Sequence, residues 1–233
     1  MESVKNKDIK ETIRNSLGID SESQDDLNES YVAQTKKYNL PTELLSSANK
    51  KNHVELYKGY VDTFNRVSAE LDAVDKDSAN SNSSVYRSLK IDETYNLNAV
   101  YLHELYFSNI SDLHSEISMD SLSYMRLSRD FGTFDDWQKD FMAACKSSRC
   151  GWVVTGLNIF LQRYTTCVID LHSTNVPIGF YPIVVMDVWQ HAYYRDYLKD
   201  VSTYTKAMMK QLNWKVIEKR IEKSERILSA MRS

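Results

Sequence analysis

From Pro41 onward, apolar side chains recur at spacings of three and four: Leu44, Leu45, Leu56, Tyr57, Tyr60, Val61, Phe64, Val67 and Leu71. A strand buries every second residue, whereas a helix turns every third and fourth residue to one face, so this run predicts a long helix with one buried side. Residues 76–95 contain the Ser- and Asn-rich stretch SANSNSS, which has no period; beyond it Leu97, Val100, Leu102, Leu105 and Tyr106 resume the helical spacing. Two helices joined by a polar loop predict a helical hairpin.

The pattern changes after about Asp120. FGTFDDWQKDFMAACKSS reads as an amphipathic helix with Phe134, Trp137, Phe141 and Ala144 on one side. Thr133 is placed to cap it, and acidic residues fill the first turn, where they suit the helix dipole. Next come GWVVTGLNIFLQRYTTCVIDLHS and FYPIVVMDVW, short β-branched and aromatic runs bounded by Gly, Asn and Pro, which suit a small antiparallel sheet. From Tyr204 through Trp214 to Met231 the pattern returns to helix. The fold class predicted is α+β. A charged arm occupies residues 1–38 and the helical hairpin residues 39–118. A C-terminal α/β domain, with an antiparallel sheet of about three strands flanked by helices, occupies residues 119–233.

A chain of 233 residues with 42% hydrophobic and 26% charged side chains can bury a core without a disulfide or metal staple. A metal in such a chain points to chemistry rather than to folding support. The formal net charge of −3 offers no basic surface, which argues against a nucleic-acid partner. Cys145, Cys150 and Cys167 are odd in number and lack CxxC spacing, as expected of free thiols in a reducing compartment. The N-terminal sequence lacks an apolar core behind a basic start, and no run of 18 apolar residues follows, so a soluble cytoplasmic protein without a membrane partner is expected. The first 38 residues are too polar to offset their ordering entropy, although Ile9, Ile13 and Leu17 could form a short amphipathic helix that docks on an assembly partner.

Histidines occur at positions 53, 103, 114, 172 and 191 only. His191 follows Asp187 by four residues, immediately after the apolar run PIVVM. A carboxylate at a strand end with an imidazole on the next turn mixes a hard anionic ligand with a borderline nitrogen one, a set suited to iron or manganese. Alone, such a pair is better explained by Asp187 capping the next helix while His191 packs beside Trp189.

The longer string D-x-W-x-H-A-Y-Y, over residues 187–194, resembles the signature of the iron/manganese superoxide dismutases. His53, seven residues before Tyr60-Val61 and followed by Asn65, resembles that family's first-helix histidine. His103, followed by Tyr106, Phe107 and Asn109, resembles the one in its second helix. FGTFDDWQKDF, Gly151-Trp152 and Asn213-Trp214 extend the likeness over residues 38–222.

The resemblance implies one iron or manganese ion per chain, held by His53, His103, Asp187 and His191, and a reaction that dismutates superoxide to oxygen and hydrogen peroxide. It further implies that His172 hydrogen-bonds the solvent on the metal, with Ala99 small where some relatives supply a glutamine for that purpose. Tyr60 would line the substrate funnel, and Trp152 and Trp189 would exclude bulk water. Gln190 and Tyr194 would meet a second subunit in a homodimer. His114 matches no family position and reads as a surface residue.

Four positions depart from the family pattern. Gln190 replaces a glutamate and brings no charge to its histidine contact. Val201 replaces an arginine near the entrance, reducing the attraction of an anion. Leu56 replaces a gateway histidine, and Val154 the second tryptophan of G-W-x-W. With the long arm, and only 6 Gly and 3 Pro, these leave two other readings. One is a structural or docking component of a larger assembly, such as a virion or ribonucleoprotein, with a vestigial site. The other is a different oxidase or metal-binding enzyme on the same fold.

Overall fold

A computed structural model describes residues 33–112 and 114–232. The charged arm, with Ile9, Ile13 and Leu17, lies outside the described residues up to position 32. Packing begins before the expected boundary at 39. The Lys36 backbone N–H donates to the Tyr57 hydroxyl at 3.1 Å, and the Tyr38 ring lies 5.3 Å from that of Phe107.

The two long helices are α1 (Ser47–Ala73) and α2 (Val85–Ile110). Each is started by a serine, Ser46 and Ser84, whose hydroxyl accepts a first-turn backbone N–H. They pack antiparallel: Val67 and Leu71 meet Leu89 near the loop, Tyr57 meets Glu104 midway, and His53 meets Phe107 at the far end. Leu44 and Leu45 precede α1, and α2 begins at Val85, well before the apolar run at Leu97. Leu97 itself is exposed, because the buried face of α2 runs through Leu89, Asn96, Val100, His103 and Phe107.

Short helix α3 (Leu122–Phe131) leads through Gly132 into α4 (Phe134–Ser147), which Thr133 caps by accepting the Asp136 N–H. The buried stripe of α4 is Phe134, Trp137, Phe141 and Cys145 rather than Ala144. Three strands follow, β1 (Gly151–Asn158), β2 (Arg163–Asp170) and β3 (Phe180–Asp187), in the antiparallel order β2-β1-β3. Central β1 is buried along nearly its whole length and aligns Trp152 with Asp187. Gly151 makes this register possible: a Cβ there would stand 2.0 Å from the Ile169 carbonyl oxygen. Helices α5 (Gln190–Tyr197), α6 (Val201–Met209) and α7 (Trp214–Arg232) complete the chain.

The described residues from Lys36 onward form one compact unit, and polar groups inside it join the hairpin to the sheet. Asn109 of α2 donates to the Val185 carbonyl at 2.9 Å. Arg220 of α7 reaches the carbonyls of Leu105 and Ile183 and the side chain of Asn109. These bonds bring α2 and β3 together just where each carries a candidate ligand. Among the described residues no helix is long and apolar enough to cross a membrane.

Candidate metal centre

Four elements deliver the four candidate ligands. His53 lies in the second turn of α1, His103 in the second half of α2, Asp187 at the end of β3 and His191 in the first turn of α5. Buried Ile183, Val184, Val185 and Met186 fix the course of β3, so Asp187 emerges under the hairpin with no exposure at all. Its Oδ1 accepts the Trp189 N–H at 2.8 Å, which anchors one oxygen and turns Oδ2 inward. Asp187 is therefore not the cap of α5; the cap position is Trp189, which makes no side-chain cap bond.

Three imidazoles face that oxygen. Asp187 Oδ2 lies 3.1 Å from His53 Nε2, 3.1 Å from His191 Nε2 and 3.8 Å from His103 Nε2. One donor atom from each of the four residues falls within 4.8 Å of all the others. His53 and His103 are 2% and 0% exposed, so protein rather than water surrounds these two ligands, while His191 is part-exposed.

His103 tests whether the donors fit a cation. A carbonyl can only accept, so the contact between His103 Nδ1 and the Ala99 oxygen at 2.6 Å places the proton on Nδ1. Nε2 of the neutral ring is then a bare lone pair, buried and without a hydrogen-bond partner. An unsatisfied buried acceptor costs roughly 1–3 kcal/mol, which a cation at the centre of the cluster would recover. Electrostatics act in the same direction. Burial lowers the tendency of His53 and His103 to take a proton, and for His103 the neighbouring His53 adds to the effect. Burial opposes ionisation of Asp187, but His191 and His53 outweigh it and hold the carboxyl well below the usual range. Neutral His53 and His103 beside an ionised carboxylate offer lone pairs that a metal can take without first releasing protons from these two rings. The donor set suits iron or manganese.

His172, fully buried, stands beside the cluster rather than in it. Trp152 Nε1 donates to its Nδ1 at 3.0 Å, and its Nε2 lies 3.0 Å from the Tyr60 hydroxyl. Burial lowers its pKa to about 4. Asn98 of α2 donates to the His172 backbone oxygen at 2.8 Å, tying the turn after β2 to the hairpin. Trp189 stacks on both His172 and His191, with centroids 5.2 and 5.8 Å away. Gln190 and Tyr194 are exposed and line an open hollow with Asn49, Asn52, His191 and Arg195. His114 is exposed and is not among the clustered donors.

Sequence reasoning missed several groups that hold the centre. The Tyr204 hydroxyl donates to the Asp187 backbone oxygen at 2.9 Å and lies 2.9 Å from the Tyr106 hydroxyl. Tyr95 packs against His172 at 4.7 Å between centroids. Each sits at ordinary helical spacing, and only the fold reveals where its hydroxyl goes.

A family model described as iron/manganese superoxide dismutases, C-terminal domain, matches residues 121–220. The iron superoxide dismutase of Aquifex pyrophilus is 35% identical over 179 residues, covering 76% of this chain and 83% of that protein. The iron superoxide dismutase of Aquifex aeolicus is 34% identical over 205 residues, covering 85% and 95%. A manganese superoxide dismutase of Haloferax volcanii is 27% identical over 163 residues, covering 70% and 79%. With identity of this order over most of both chains, the protein belongs to the iron/manganese superoxide dismutase family.

Proposed function

We propose that the protein is a superoxide dismutase, acting at a single iron or manganese ion held by His53, His103, Asp187 and His191. The observation that carries this reading is the buried, partnerless His103 Nε2 facing a carboxylate that two further imidazoles already approach. The relatives' names give the docking role considered from sequence no support. The chemistry such an ion supplies is a one-electron couple: one superoxide gives up an electron and leaves as oxygen, and a second accepts it with two protons and leaves as hydrogen peroxide.

The chain's own residues shape that exchange. Asp187 and the three imidazoles fix the donor set, with Trp189 N–H and Tyr204 holding the carboxylate residue at both ends. Buried Trp152 closes one side against His103, with ring centroids 4.8 Å apart, and keeps bulk water from it. His172 and Tyr60 are polar groups beside the cluster, hydrogen-bonded to each other at 3.0 Å, with the second His172 nitrogen taken by Trp152. With Val201 where the family carries an arginine, less electrostatic steering of the anion is expected, and so a weaker dependence of rate on salt.

Gln190 and Tyr194 form part of a homodimer contact in this reading, supported by their exposure around the hollow beside His191. The free thiols Cys145, Cys150 and Cys167 support a reducing, cytoplasmic setting. The test is elemental analysis of protein purified without chelator, with superoxide consumption measured on the same sample. About one iron or manganese per chain with fast turnover is the result expected. A folded protein that binds metal stoichiometrically and leaves superoxide untouched refutes the dismutase reading.

A further inference from the structure

His53 and His103 come from different helices, and apolar packing does not by itself fix how far one helix slides along the other. Such contact is non-directional, so a small shift along the axes keeps most of the buried area. Ligands of one ion must instead be held to within about 0.5 Å. Where α1 passes α2 beside the two rings, a directional bond is therefore needed.

Tyr57 stands at that level. It follows His53 by one turn on the same face of α1 and is fully buried, its ring 6.3 Å from that of His103 and 5.9 Å from that of Phe107. Its hydroxyl meets Glu104, the residue after His103. An ionised carboxylate only accepts, so Tyr57 donates to Glu104 Oε1, at 2.9 Å, and its oxygen accepts the Lys36 backbone N–H at 3.1 Å. The Lys36 ammonium pairs with the other carboxylate oxygen, Oε2. The three residues close a ring of bonds in which the phenol is both donor and acceptor and both carboxylate oxygens are occupied. Tyr38, two residues beyond Lys36, lays its ring on Phe107 at 5.3 Å, and Phe107 packs on His53 at 4.9 Å.

We propose that Tyr57 is a positioning residue for the metal centre: by donating to Glu104 it sets the register of α1 against α2, and so the separation of the His53 and His103 imidazoles, while Lys36 locks the phenol in place. This role rests on the metal-centre reading given above, and the bonds that carry it need no bound ion. Without the hydroxyl the Tyr57 ring still fills its place, but Glu104 is free to turn and the helices meet at this level through non-directional contact.

Full-length protein loaded with cobalt(II), which follows iron(II) in the affinity order for such donors, provides the test. Its visible bands report the coordination geometry, and its transfer to excess EDTA reports retention. Tyr57→Phe is compared with Tyr164→Phe, since Tyr164 is also fully buried and donates to a glutamate, Glu225, at 2.9 Å. Tyr57→Phe is expected to shift the bands and to release cobalt about tenfold faster, the order of one hydrogen bond to a charged group. Glu104→Leu is expected to match it, and the double variant to be no faster than either single one, because the same bond is lost in all three. Tyr164→Phe, which loses an equivalent bond between β2 and α7, is expected to keep the wild-type bands and release rate. Wild-type bands and rate in Tyr57→Phe, equal acceleration in both tyrosine variants, or multiplied effects in the double variant each overturn the proposal. A wild-type chain that holds no cobalt removes the metal-centre reading itself, and this role with it.

Discussion

A buried imidazole with an unused lone pair is unstable alone, and His103 is in that condition by construction. The Ala99 carbonyl takes its Nδ1 proton, and the packing of Trp152 and Phe107 keeps water from Nε2. The same packing surrounds an ionised Asp187, so each group is costly to bury unless a cation joins them. His53→Ala or Asp187→Ala is therefore expected to drop metal content from about one ion per chain to below about a tenth, whereas His114→Ala leaves it unchanged. Elemental analysis after gel filtration checks this, and equal content in all three variants removes the site assignment. Sequence reasoning singled out these positions because D-x-W-x-H-A-Y-Y is long enough to be specific. It could not see that Trp152 occupies His172 Nδ1, since that bond spans 20 residues and depends on the sheet register. Tyr95 was invisible for the same reason, being an ordinary aromatic until the turn after β2 lays His172 against it.

Between elements, the strongest tie is Arg220. Its guanidinium enters from α7 and donates to the Ile183 carbonyl of β3 at 2.8 Å, the Leu105 carbonyl of α2 at 3.0 Å and the Asn109 side chain. Burial depresses it to about 10, and the acceptors it reaches are neutral oxygens. A charge is spent here on geometry, because a planar fork of five donors spans carbonyls on two elements and the Asn109 side chain with fixed angles, which the compact ammonium of a lysine does not reproduce. Arg220→Lys is expected to destabilise the fold by about 2 kcal/mol through carbonyls left unpaired. A lowered urea midpoint at unchanged slope is the expected record, and an unchanged midpoint shows that α2 and β3 are held together without it. At this scale the sequence was legible wherever local chemistry decides: Thr133 caps α4, and the β-branched runs become β1, β2 and β3. It was not legible where tertiary packing overrides the pattern. Helix α3 carries only Ser123 and Leu127 as buried residues, and Leu97 continues a helical spacing yet faces solvent. The start of α2 lay hidden in a polar run, because Ser84 begins a helix whose first turns are mostly exposed.

For the molecule as a whole, the centre links acid stability to metal retention. His53, His103 and His172 are all held neutral in the fold, with burial as the first cause in each. Each is a base whose folded value is depressed, so above the unfolded value of about 6.5 neither state binds the proton and stability is flat in pH. Below about 6.5 the unfolded chain takes up protons that the fold refuses, and stability falls by up to about 1.4 kcal/mol per pH unit for each such histidine. For His172 the decline ends near its folded value of about 4. Asp187 enters later: its folded value is depressed far below the unfolded one of about 3.9, so its contribution is full above that pH and is lost only below it. Metal binding adds to the same trend, since protons and the ion compete for the same imidazole lone pairs. The melting temperature and metal content of the loaded protein are therefore expected to fall together between about pH 6.5 and 4, before Asp187 is protonated. Calorimetry and elemental analysis across that range provide the check. A melting temperature level down to pH 4 would mean that the buried histidines keep their ordinary affinity for protons, and that the neutral cluster is not what the fold enforces.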